Sequence, residues 1–351
     1  MISLDYDFVS ELLLTVLLGG AAIYIGVNRL GVKRRQIPCV SSIFIYPVKS
    51  CAEISLNTST ATAQGFENDR VFQVSETKGD ASYCTPRDKK YAKLFHVQPQ
   101  IANDTSTLTL QAPGMASTID VSLKAHDDKI TTRKATPMCG PKVTLDECGP
   151  EVARWFAQAL GVPDQSMSLT RIGAHYKRSV QVNPDQKEAL PTTLEGNDPN
   201  SYPVSLADEA PYLLTSSSSL QDLNQRLRKR GQAPVDMRRF RPNLVINDLE
   251  PWIEDTWSRI RIGPKAEFYV WQRCGRCAMT TIHRDSLQRG PEPLATLSTF
   301  RERAAGQRNF GMHLIPVDST IPVQISVGDV VQVLEYNAAR LEEWKRLFGK
   351  S

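Results

Sequence analysis

The sequence predicts a strand-dominated α+β fold with peripheral helices, preceded by one membrane-spanning helix. Three observations carry that prediction. Short runs rich in β-branched residues recur in both halves of the chain, each bounded by Gly, Pro, Asn or Asp, the way strands and turns read in sequence. Helical spacing of apolar residues is confined to a few short segments, with no internal repeat. One long apolar run, residues 8–27, stands apart near the N-terminus.

As an α-helix that run would be about 30 Å long, the thickness of a bilayer's hydrocarbon core. Asp5, Asp7 and Glu11 lie at its leading end, and Arg29, Lys33, Arg34 and Arg35 follow it. A secretory leader wants a basic leading region, and a matrix transit peptide is poor in acids, so neither fits. The run is expected to be a single-pass anchor with the basic flank, and all that follows, in the cytosol. A buried helix is the alternative, and the near-absence of a polar face argues against it.

Strands are expected at residues 40–46, ended by Pro47, and at 55–63, with Lys49, Ser50 and Cys51 in the turn between. Residues 65–69 are turn chemistry ahead of a strand at 70–74, and shorter strands follow at 108–110, 119–121 and 143–145. A helix begins around Pro150, where Val152, Trp155, Phe156, Ala159 and Leu160 fall at helical spacing before Gly161. The stretch 162–207 reads as a connection holding a strand-like piece at 167–172 and a loop. Beyond it come a serine-rich N-cap at 216–219, a helix at 220–230 closed by Gly231, and a strand at 244–246. A hairpin is predicted at 325–334 around Gly328 and Asp329, and a surface helix at 341–348. The expected organisation is an anchor at 8–27, a first domain at 38–161, the connection at 162–207, a second domain at 208–336 and a tail helix at 337–351.

A net charge of +4 with dispersed arginines is too mild to argue for nucleic acid. Seven scattered cysteines, an odd count, are not the disulfide framework of a small secreted domain, so a reducing compartment is expected. The five histidines fall in no zinc-binding spacing.

Chemistry gathers at four turns: Lys49-Ser50, Asp69-Arg70, Arg241-Pro-Asn243 and Arg273 to Cys277. In the last, Cys274 and Cys277 are each preceded by an arginine, and neighbouring cations favour the thiolate, which is both nucleophile and metal ligand. Such a C-x-x-C is equally compatible with half a zinc site, a dithiol pair or two buried thiols. Taken together, the four turns suggest a pocket with several cations and one soft ligand, suited to an anion that carries a metal.

Tyr46-Pro-Val-Lys-Ser-Cys51 and Asn68-Asp69-Arg70 resemble the N-terminal barrel domain that precedes many MOSC domains, named for molybdenum cofactor sulfurase C-terminal regions. Phe240-Arg-Pro-Asn-Leu-Val-Ile246, Arg273-Cys-Gly-Arg-Cys-Ala-Met-Thr-Thr281 and Val327-Gly-Asp329 resemble the MOSC domain itself. With the anchor, the pattern is similar to the mitochondrial amidoxime-reducing component family. The resemblance implies an N-terminal β-barrel-like domain followed by a MOSC β-barrel. It further implies a molybdenum cofactor (Mo-molybdopterin) with Cys277 as catalytic metal ligand. Lys49, Ser50, Arg70, Arg241, Asn243, Gly275 and Arg276 would bind the pterin and its phosphate. Asp208 matches a position near the cofactor, Ser216 is a weaker match at a helix N-terminus, and Cys274 is left as a structural thiol.

The activity implied is reduction of N-hydroxylated compounds, amidoximes and hydroxylamines, a detoxifying chemistry. Electrons would come from NADH through cytochrome b5 reductase and cytochrome b5. The implied location is the mitochondrial outer membrane, or the endoplasmic reticulum, with the catalytic part in the cytosol. Two rivals remain. One is a MOSC sulfur carrier or cofactor-transfer protein, although no aminotransferase-like, pyridoxal-phosphate-binding module is expected in this length. The other is a membrane-tethered scaffold whose C-x-x-C is structural or joins Cys139 and Cys148 on zinc. The chain departs from the family pattern at Ile282-His-Arg-Asp285 and at Gly311-Met-His-Leu314.

Overall fold

The element that carries the site is a nine-stranded sheet drawing on both ends of the described chain. The computed structural model describes residues 37–77, 82–102, 106–124, 131–137, 140–164, 166–180, 202–247, 249–303, 306–317 and 320–349. The predicted anchor at 8–27, Cys139 and the loop expected within the connection (181–201) lie outside them. Among the described residues no helix is long and apolar enough to cross a membrane.

The main strands are β1 (Val40–Ile45), β2 (Ile54–Leu56), β3 (Tyr212–Ser216), β4 (Leu244–Ile246), β5 (Trp257–Ile262), β6 (Ala266–Arg276), β7 (Gln307–Pro316) and β8 (Val331–Tyr336). They run in the order β8-β5-β6-β7-β3-β4-β1-β2, with the two-residue strand Glu302–Arg303 attached to β7. β6 and β7 are buried along most of their length, as strands covered on both faces must be. Gly311 is required there, because at its φ of 84° a Cβ would sit 2.7 Å from the Leu214 carbonyl oxygen. That close approach lets β7 pair with both β3 and β6.

A second group of strands packs around α1 (Pro150–Leu160). It consists of a four-stranded sheet, Phe72–Glu76, Met167–Arg171, Val143–Glu147 and Thr132–Ala135, and a three-stranded one from Gln98 to Ser122. α1 starts with proline in its first turn and stops at Gly161 in the left-handed region, and the apolar stripe expected from its spacing is buried. α2 (Ser217–Lys229) lays Leu223 and Leu227 into a separate apolar cluster shared with α3 (Leu294–Arg301) and α4 (Ala338–Phe348).

The strand-dominated α+β class is as predicted, but two details differ. Among the described residues no ladder closes the large sheet into a barrel: β8 meets the chain just ahead of β1 at an isolated bridge, Cys39 to Val330. The hairpin expected at 325–334 is not a hairpin. Val323–Ser326 pairs with Thr58–Thr62, whereas β8 pairs with β5. The turn at Gly328 (φ 95°) is occupied instead by the start of β1, whose Val40 N–H donates to Asp329 O and whose carbonyl accepts from Gly328 N–H.

Candidate functional site

Three short-range devices build one wall of a cleft. Asp69 closes the turn after Phe66, and its Oδ1 accepts from the Tyr46 N–H at 2.8 Å, tying the turn to the end of β1. Its Oδ2 then takes Arg70 Nη1 at 2.6 Å. Arg70 also donates to Asn243 Oδ1 (3.2 Å) and to the Arg241 carbonyl (3.0 Å). The Tyr46 ring lies under both guanidinium groups, 4.6 Å from Arg70 and 4.1 Å from Arg241. Asn243 joins three elements through its amide: besides Arg70, its oxygen accepts from Leu213 N–H, and its nitrogen donates to Phe44 O.

Ser50, Arg70 and Arg241 have φ of 73°, 52° and 55°. Non-glycine residues pay of order 1–3 kcal/mol each for such sparsely populated conformations, and these collect where a site must be held in shape. All three line the same cleft, together with Lys49, Asp208, Asn243, Gly275, Arg276 and Cys277. Nine of the ten residues proposed from the sequence are thus brought together. Ser216 is not: it is buried, and its hydroxyl accepts from Ser219 N–H, capping α2 from within.

The cleft, about 800 Å³ with its open mouth, also takes in Tyr83, Glu209, Arg239, Cys274, Thr280 and His313, none of them singled out from the sequence as binding residues. Tyr83 hydrogen-bonds Ser50, and Lys49 pairs with Asp208 at 2.6 Å. Arg239, Arg241 and Arg276, by contrast, have no carboxylate partner among the described residues. Arg241 Nη1 donates to the Cys51 carbonyl at 2.8 Å, and burial pulls its guanidinium below the usual range. Arg276 reaches Cys274 Sγ at 2.7 Å and the Phe240 carbonyl at 2.6 Å, leaving its Nε buried without a partner. Arg239 Nε is likewise buried and unpartnered, and burial lowers that group too.

Cys277, by contrast, is exposed at the start of the 3-10 turn Ala278–Thr281. The arrangement can therefore hold a polyanion against Arg239, Arg241 and Arg276 while presenting one accessible sulfur to a soft metal. Among the described residues no group of three or more His, Cys, Asp or Glu is set to hold a metal by itself. Cys148 packs against the α1 core with its thiol pushed up to about 12 by burial, and it does not line the cleft. A zinc site at the C-x-x-C thus has no support from Cys148.

The profile of the MOSC domain matches residues 201–332, and that of the MOSC N-terminal beta barrel domain matches residues 37–163. Mitochondrial amidoxime reducing component 2 of Rattus norvegicus is 32% identical over 301 residues, which is 81% of this chain and 80% of that one. This chain belongs to the MOSC-domain family. The mitochondrial amidoxime-reducing component 1 of Homo sapiens is 29% identical over 86% of this chain and 84% of its own length. The molybdenum cofactor sulfurase of Danio rerio is 32% identical over 83% of this chain but only 34% of its own. This MOSC chain therefore spans about a third of the length of the sulfurases it matches.

Proposed function

We propose that this chain binds the molybdenum cofactor and reduces N-hydroxylated compounds such as amidoximes and hydroxylamines. The observation that carries the proposal is the pairing of one exposed cysteine, Cys277, with arginines that no carboxylate among the described residues balances. That donor set fits a group that is soft at one end and anionic at the other. Cys277 would hold the metal. Arg241, Arg276 and Arg239 would take the phosphate and pterin, and Ser50 and Gly275 would line the approach. Lys49 with Asp208, and Arg70 with Asp69, are already paired and serve to fix the wall. When bound, the group supplies the two-electron chemistry, while the protein orients it and tunes its surroundings.

Correspondence over 80–84% of the length of amidoxime-reducing components, against about a third of the sulfurases, supports a reductase over a module of a larger sulfurase. In this reading electrons arrive from NADH through cytochrome b5 reductase and cytochrome b5. The apolar run at 8–27 would anchor the chain at the mitochondrial outer membrane or the endoplasmic reticulum, beside a membrane-bound haem donor. The match to sulfurases favours the second reading, a protein that carries cofactor or its sulfur. Metal analysis with a reconstituted benzamidoxime assay separates the two. Molybdenum with NADH-driven reduction supports the reductase; molybdenum without it supports the carrier, and zinc alone sinks both.

A further inference from the structure

Cys274 on β6 and His313 on the neighbouring β7 both line the cleft, and both are buried. Among the described residues, the charged groups of the cleft around them come from three places. Arg276, on Cys274's own strand, lies 2.7 Å from its sulfur. Glu209, from the segment leading into β3, places Oε2 3.2 Å from His313 Nε2. That carboxylate is steadied by Gln272 Nε2 at 3.0 Å. Lys49 and Asp208, paired with one another, stand on the wall of the same cleft. Burial works against a charged imidazole, but Cys274 and Glu209 outweigh it and push His313 up to about 10. Burial likewise opposes the thiolate, but Arg276 and His313 hold Cys274 below the usual thiol range. The side chains also form an exposure gradient, with Glu209 28% exposed and His313 8%.

We infer that His313 delivers protons to the substrate in this cleft, that Glu209 reloads it from solvent, and that Cys274 is its buried counter-ion. The inference rests on the reductase reading. Reducing R–NH–OH to R–NH2 breaks the N–O bond and releases the oxygen as water. It consumes two electrons, supplied by the haem-protein donor, and two protons. His313 gives up each proton as imidazolium and recovers it through the Glu209 carboxyl. Cys274 neither forms nor breaks a bond. It is a positioning residue that keeps His313 charged, so it is no longer a structural bystander.

The test uses the full, cofactor-loaded chain with benzamidoxime, NADH, cytochrome b5 and its reductase. His313→Gln should lower kcat by about 100-fold, the scale of a lost general acid, with KM and molybdenum content held. In the wild type kcat should fall as pH rises toward about 10. Cys274→Ser and the half-exposed Glu209→Gln should each move that falling limb to lower pH, Cys274→Ser further. In metal-free Cys277→Ser protein, the pH at which Cys274 gains its ultraviolet thiolate absorbance should rise when His313→Gln is added. An unchanged kcat in His313→Gln, a Cys274 thiolate titration that does not move with it, or loss of molybdenum from the variant each overturns the inference while the wild type still turns over. If the loaded wild type itself reduces nothing, the reductase reading falls and takes the inference with it.

Discussion

Arg273 and Arg276 bracket Cys274 on one strand, and in sequence they look alike. In the fold they belong to opposite kinds of region. Arg273 is buried in a closed ionic cluster: its Nε meets Asp255 at 2.8 Å, its Nη2 meets Glu343 at 3.1 Å, and Arg301 reaches the same Asp255 oxygen at 2.6 Å. Arg276 opens on the cleft with a carbonyl and a sulfur for company. Matched charge under the sheet is framework. Unmatched charge in the cleft is available to a ligand.

The largest expected effect removes the sulfur that the cleft exposes. Cys277→Ser should abolish molybdenum retention and benzamidoxime reduction together, read by elemental analysis and NADH consumption. A variant that keeps both would make the cleft's cations ordinary surface charge. Next in size, Asp255→Ala takes the shared carboxylate from buried Arg273 and Arg301, leaving Arg273 only Glu343, and should cost about 3–5 kcal/mol in urea unfolding. The same residue fixes the acid response. Burial opposes its ionisation, but Arg301 and Arg273 outweigh it and hold the carboxyl below its ordinary range. A depressed folded-state value contributes stability above the unfolded value, and that contribution is lost as pH falls through the folded one. Asp255→Asn should therefore flatten the acid side of the stability profile.

Arg276→Gln is the matching test on the open side. Global stability should stay within about 1 kcal/mol of wild type, as for changes that strand no buried charge. Cofactor binding should weaken by about 1.5–3 kcal/mol, tenfold or more, measured by fluorescence of released pterin. If stability and occupancy fell together, the contrast between the two arginines would be lost. The smallest effect belongs to Glu254, which accepts from Ser219 Oγ at 2.6 Å and is pushed up to about 7 by burial and by Asp255. A raised folded-state value contributes stability below the unfolded value, lost as pH rises through about 7. Glu254→Gln should raise stability by order 1 kcal/mol above neutrality, the gain fading as pH falls from about 7 toward the ordinary carboxylate range, by thermal melts.

What the sequence made legible follows from how local each signal is. The turn at Asp69-Arg70, the stripe of α1 and the cap of α2 are written within a few residues, and the fold keeps them. Ser216 is legible only in part for the same reason: the residues announce a helix N-terminus, and in the fold the hydroxyl accepts from that helix's own Ser219 N–H. The partnership of His313 with Cys274 depends on β6 and β7 pairing across a bulge, a register with no local mark. The hairpin failed because the start of β1 competes for the turn at Gly328. A positive φ at Ser50 or Arg241 also leaves no trace in residue type, since neither is the glycine or asparagine that usually announces it.

The place of β1 in the large sheet has a consequence for synthesis. Val40 pairs with Ile246, so the strand leaves the ribosome long before its partner exists. At roughly 5–20 residues per second the wait is about 10–40 s. Throughout it, β1 can pair with β2 on one side only, and its other edge stays bare, the kind of surface that recruits chaperones or other chains.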